Sequence, residues 1–130
     1  MRRIEIPVST GELFDKVTIL EIKASRLPDP RQQANVRREL AALQAVLTPL
    51  AGSDPELAAL KAELRLVNEQ LWETEDAIRD CERRKDFGAE FIELARTVYR
   101  TNDRRAALKR SIDERLGSEI VEEKSYAAYE

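Results

Sequence analysis

The 130-residue chain is 42% hydrophobic and 36% charged, with 5% aromatic residues, and it holds apolar material enough for one core. Its charge exceeds the roughly 25% typical of globular chains, as amphipathic helices require for their solvated faces. The net charge of −3 gives no general attraction to nucleic acid or anionic membrane, the absence of histidine excludes His-based zinc sites and triads, and the lone Cys81 excludes an intrachain disulfide.

Arg3 to Val8 alternates polar and apolar residues and reads as a short strand ended near Pro7. Ser9-x-x-Glu12 then has the form of a capping box, with Val8 and Leu13 placed as its hydrophobic staple. The helix that follows carries Leu13, Val17, Leu20, Ala24 and Leu27 at spacings of 4, 3, 4 and 3, and stops at Pro28. Ile19 and Ile22 lie on its opposite face, so it is expected to be covered by its own bundle on one side and by a partner on the other.

Asp29-Pro30 is an N-cap followed by a first-turn proline. The second helix sets Val36, Leu40, Leu43, Leu47 and Leu50 on one stripe, with Pro49 disturbing its last turn before Ala51-Gly52-Ser53. Ser53-Asp54-Pro55-Glu56 repeats the start signal. The third helix has the clearest stripe: Leu57, Leu60, Leu64, Val67, Leu71, Thr74, Ile78 and Cys81. Unbroken to about Asp86 it would be on the order of 48 Å long, which predicts a long hairpin or coiled-coil-like contact. Gly88 reads as a helix C-terminal glycine or a hinge. A fourth helix is predicted from about Ala89 to Leu116, ended by Gly117. Glu119 to Tyr126 reads as a strand or a docked tail, and pairing it with Arg3–Val8 would join the termini. The expectation is an all-α antiparallel bundle of about four helices over residues 1–130, a single helical domain, with room for a small two-stranded pairing of the termini.

Two polar segments depart from this plan. Trp72, Asp76, Arg79 and Arg83 recur at spacings of 4, 3 and 4, lining one side of the third helix away from its leucines. Trp and Arg are enriched at binding hot spots, while ordinary packing and a surface ion pair are the plainer account. On the fourth helix the stripe begins Phe91, Leu94, Ala95 and Val98, then passes through Asn102, Arg105 and Lys109 before Ile112 and Leu116. Cations at core-spaced positions require carboxylates, a ligand, or snorkelling to water. Glu12 and Asp15 on the first helix, and Glu75 and Asp76 on the third, are the acids available to them. Glu73-x-x-Asp76 and Glu90-x-x-Glu93 have magnesium-compatible spacing, but reverse the order used by all-helical nucleotide pyrophosphohydrolases and are incomplete. No metal or cofactor is expected. Charge is also uneven along the chain. Arg79 to Arg115 holds eleven Lys/Arg against eight Asp/Glu, a balance of +3 that leaves −6 elsewhere. The basic clusters Arg83-Arg84-Lys85 and Arg104-Arg105 lack any aromatic platform, so nucleic acid is disfavoured as a partner.

Long stretches have a family look: V-S-T-G-E-L-F-D-K-V-T-I-L-E-I-K from Val8, L-W-E-T-E-D-A-I-R-D-C-E from Leu71, D-F-G-A-E-F-I-E-L-A-R from Asp86, V-Y-R-T-N-D from Val98, and G-S-E-I-V-E-E-K-S-Y from Gly117. On these the chain resembles an uncharacterised bacterial family of short helical proteins, a domain of unknown function. The resemblance implies no catalytic role.

The leading expectation is therefore an interaction or oligomerisation module, a homodimer with Ile19, Ile22, Trp72 and Arg83 as candidate partner-binding residues. No signal peptide precedes the first element and no apolar run approaches a membrane span, so a cytoplasmic location and no membrane partner are expected. The alternative is a small-molecule binder or enzyme. It would hold a phosphate- or carboxylate-bearing ligand in a basic pocket on the fourth helix, with Asn102, Arg105, Lys109, Asp76 and Arg79 as candidate ligand-binding residues.

Overall fold

Ser9 starts the first helix as its sequence predicts: its Oγ accepts the Glu12 N–H at 3.1 Å, and α1 runs from Thr10 to Arg26. The reciprocal half of the capping box is absent, because the Glu12 side chain is drawn away to Lys109. The computed structural model describes residues 2–129, so residues 1 and 130 of the expected span lie outside the described residues. Asp29 and Asp54 cap the next two helices through Oδ1, each ahead of a proline that has no N–H to satisfy, giving α2 (Pro30–Ala51) and α3 (Pro55–Arg83). Pro49 does not break α2, which continues to Ala51 and closes with Gly52 at a φ of +55°. Leu50, beyond that proline, stays exposed.

Helix α3 closes one turn early, and Gly88 is not its terminator. The Asp86 N–H reaches back to the Cys81 carbonyl and the Lys85 N–H to that of Glu82, a Schellman closure in which Lys85 takes the left-handed position at φ +56°. Gly88 instead caps α4 (Ala89–Leu116) from the N-terminal side. At the far end Gly117 takes the same left-handed position at φ +63°, and the Ser118 N–H bonds to the Asp113 carbonyl.

The result is an all-α bundle with no strand among the described residues. The strand pairing of the termini is not formed. Two short strands alone are marginal in water, and the segment after Gly117 is tied to α4 by its side chains instead. Residues 3–8 are left open, with Ile4 and Ile6 exposed at 83% and 70%.

Helix α1 packs against each of the other three helices. Leu13, Phe14 and Val17 meet Leu47 of α2, Leu57, Leu64 and Val67 of α3, and Leu108 and Ile112 of α4 in one cluster. That central place accounts for its two apolar faces. Ile22 is only 1% exposed, so the chain itself covers the face the sequence left for a partner.

Helices α3 and α4 form an antiparallel hairpin, about 44 and 42 Å long against about 26 Å for α1. Arg115 beside Asp54, Arg104 beside Glu63, and Arg84 beside Glu90 mark its length from base to tip. Among the described residues, no hydrogen bond or ion pair joins α1 or α2 to α4 on the tip side of Arg105. The C-terminal segment meets α4 there at Tyr99 and Asp103, and α1 reaches α3 as far as Glu73; from there outward the hairpin is a two-helix arm.

Candidate functional site

Where α1 crosses α4 the backbones nearly touch. A Cβ built on Gly11 would lie 2.3 Å from the Lys109 carbonyl oxygen, so only glycine fits. This approach lets a carboxylate of one helix close the start of the other. Asp113 Oδ1 accepts the Gly11 N–H at 2.6 Å and the Thr10 hydroxyl at 3.0 Å, with its charge at the positive end of α1. Ser118 Oγ takes the Thr10 N–H at 3.2 Å, locking the closed end of α4 onto the same turn.

One turn further along, Lys109 is buried between Glu12 of α1, at 2.7 Å, and Glu122 of the C-terminal segment, at 2.9 Å. Burial alone would lower the Lys109 ammonium; its two carboxylate partners outweigh that and hold it above the ordinary lysine value. Glu122 is held below the ordinary glutamate value by hydrogen bonds from Lys109 and then Lys124.

The next turn carries Asp15, 1% exposed. Arg105 binds it through both Nε, at 2.9 Å, and Nη2. Asn68 of α3 donates to Asp15 Oδ1 and to Thr18 Oγ1, both at 2.9 Å. The bond to Asp15 raises the Arg105 pKa further. A two-pronged guanidinium pair with a third donor satisfies a buried carboxylate about as fully as a protein can.

The two cations of the α4 stripe are thus paired with the α1 acids, Arg105 with Asp15 and Lys109 with Glu12. Asn102 sits on the exposed rim, its Oδ1 3.5 Å from Arg105 Nη1. Residues assigned to two separate sets by sequence then meet: Ile19, Trp72, Asp76 and Arg105 line one cleft of about 350 Å³ between α1, α3 and α4. Arg79 and Arg83 take no part in it. They stand exposed on α3, paired with Glu75 and Asp80 respectively. Ile22, offered as a partner-binding residue, is in the core.

Arg105 also borders a larger cavity on the opposite side, about 880 Å³, roofed by the C-terminal segment. Ion pairs from Lys109 to Glu122 and from Arg110 to Glu123 tie that segment to α4, and the Tyr129 hydroxyl donates to Asp103 at 2.6 Å. The sequence did not single out Gly11, Thr18, Asn68, Asp113 or Glu122; of its two readings for Glu119 to Tyr126, the docked tail is the one that forms. A signal existed for Gly11 and Thr18: Gly11, Asp15, Thr18 and Ile22 recur at spacings of 4, 3 and 4, a second stripe facing the α4 cations. Among the described residues, no group of three or more acidic or thiol side chains is arranged to hold a metal ion, and no helix is long and apolar enough to cross a membrane.

The chain is a member of DUF6165, a family of unknown function, whose model matches residues 3–129. No curated protein and no solved structure matches the chain.

Proposed function

We propose that this member of a family of unknown function is an interaction module that pairs with a second copy of itself through the α3–α4 arm. The observation that carries the reading is a change in the burial of the large side chains along one apolar stripe. At the base of the hairpin Leu57, Leu64, Val67, Leu108 and Ile112 are buried, because α1 covers them as well. On the arm the smaller Thr74, Cys81 and Thr101 are buried in the seam, while the large side chains Ile78, Phe91, Leu94 and Val98 stay half-buried. Two helices alone cannot cover both flanks of their shared seam. Beside it Phe87 and Ile92 are 51% and 56% exposed.

A second copy offers a matching half-buried stripe. Along α3 the arm carries Glu73, Glu75 and Asp76 near its root, and at its tip Arg83, Arg84 and Lys85 paired with the neighbouring Asp80, Asp86 and Glu82. Two arms laid antiparallel about a two-fold axis bring Arg83 at each tip toward Asp76 at the other root, and the four helices enclose the half-buried stripes. This places Arg83 and Asp76 at an interface and leaves Ile22 out of it.

Sedimentation equilibrium of the full chain tests the reading. The wild type is expected at twice the chain mass at micromolar and higher concentrations, and Ile92→Glu at the monomer mass with unchanged far-ultraviolet circular dichroism. Arg83→Glu and Asp76→Arg are each expected to weaken association and the double variant to restore it. A monomeric wild type, or a charge swap that fails to restore pairing, refutes the reading.

A further inference from the structure

All three tyrosines of the chain, Tyr99, Tyr126 and Tyr129, line one cavity, although 27 positions separate the first two in sequence. The Tyr99 and Tyr129 rings meet edge to face with centroids 5.0 Å apart, and the Lys124 ammonium lies 5.9 Å from the Tyr126 ring. The cavity, at about 880 Å³, is within the range of small-molecule sites. Its charged lining is Arg105, Lys124 and Asp103, of which Asp103 accepts the Tyr129 hydroxyl and so faces a donor already. Asn102 adds an amide at the rim.

We propose that this cavity between α4 and the C-terminal segment binds a small phosphorylated ring compound, of the nucleotide or sugar-phosphate class. Tyrosine faces take a base or sugar ring by stacking, without demanding one particular pattern of hydrogen bonds. Lys124 supplies the phosphate contact. It already lies 3.2 Å from Glu122, an exposed pairing worth little in water, so a phosphate can replace that carboxylate at small cost. Arg105, bound to Asp15 through Nε and Nη2, turns its remaining Nη1 toward Asn102 at the rim. The site does not depend on pairing of the arms.

The roof explains how a ligand would enter. Residues 118–129 contain no helix or strand, and the contacts holding them to α4 are side-chain ion pairs, a tyrosine hydroxyl bond and ring contacts. Such a segment opens by breaking a few side-chain contacts, of which only the Lys109–Glu122 pair reaches a buried group, without unfolding any helix.

Isothermal titration calorimetry on the full chain with AMP, UMP, glucose 1-phosphate and inorganic phosphate tests the proposal. At least one of the three ring compounds is expected to bind, with inorganic phosphate weaker by about tenfold or more. Lys124→Ala and Tyr126→Ala are each expected to lower that affinity by about tenfold. Tyr126 is 79% exposed, so its removal leaves the unliganded melting temperature unchanged and a folding defect cannot mimic the result. The arm variant Ile92→Glu is expected to bind as the wild type does, which separates this test from that of self-association. Binding by none of the four compounds, phosphate alone binding as well as the best ring compound, or unchanged affinity in both variants overturns the proposal.

Discussion

Gly11→Ala sets helix propensity against packing. In an exposed helix the change would stabilise by up to about 1 kcal/mol. Here the new methyl would stand 2.3 Å from the Lys109 carbonyl oxygen, 2.8 Å from the carbonyl carbon and 3.0 Å from Asp113 Oδ1. Two of those atoms are backbone inside α4 and cannot swing aside, so the helices must separate. Overpacking of this kind costs about 1–3 kcal/mol. Separation also stretches the 2.6 Å bond from the Gly11 N–H to Asp113. A hydrogen bond to a charged group is worth about 1.5–3 kcal/mol. The expected net loss is about 3 kcal/mol or more, a large part of the 5–15 kcal/mol that stabilises a typical domain. In this size range the melting temperature should fall by roughly 10 °C. Urea unfolding followed by circular dichroism measures the loss directly. A Gly11→Ala protein as stable as the wild type would refute the close approach as a determinant of the fold.

Removing Arg105 leaves the Asp15 carboxylate buried with Asn68 as its remaining side-chain donor, so Arg105→Ala should destabilise by about 3 kcal/mol, measured by the same unfolding curves. Arg105→Lys should recover little, because an ammonium cannot match the two-pronged geometry; recovery to wild-type stability would count against that geometry. Lys85→Gly should stabilise by roughly 1 kcal/mol, since glycine takes the left-handed position without a Cβ penalty; a destabilised variant would be the contrary result. Glu122 titrates below its ordinary value near 4.5, so the unfolded or detached segment takes up the proton first. Its contribution is fully present above pH 4.5 and is lost as pH falls through the lower folded value. Proteolysis between residues 118 and 129 should therefore accelerate in acid, and Glu122→Gln should show the fast rate already at neutral pH.

The helices were legible because their signals are local. Caps at Ser9, Asp29 and Asp54, prolines at the first helical positions, and leucines three and four apart depend only on neighbours along the chain. The strand pairing failed because alternation over six residues describes a face, and nothing in the sequence says what meets it. Ile22 failed for a related reason. A second apolar face on α1 implies a second covering layer, and sequence cannot say whether that layer belongs to the same chain. The cations of α4 were found as exceptions to a period, and Glu12 and Asp15 as acids within reach. Asn68 was hidden because it sits one position after Val67, inside a stripe already satisfied by leucines. The tyrosine cavity was out of reach altogether, since it forms only when a segment without regular structure folds back along α4.

The buried polar seam decides how α1 sits. With leucines on one face and Ile19 and Ile22 elsewhere, apolar burial alone would permit α1 to slip by a turn against α4, exchanging one leucine for the next. The seam forbids that slip. Moving α1 by four residues would bring Asp15 to the place of Gly11, where any Cβ collides with the Lys109 carbonyl. It would also take the free N–H groups of Thr10 and Gly11 away from Ser118 and Asp113, the acceptors that close the start of the helix. Arg105 would lose the carboxylate matched to its fork. Each feature is costly in the wrong register and satisfied in the right one, so the gap between the two arrangements exceeds what leucine packing alone would give. The same ion pairs fix the tail, because Lys109 holds Glu12 with one hydrogen bond and Glu122 with another. The position of α1 and the roof of the tyrosine cavity are therefore linked through one buried ammonium.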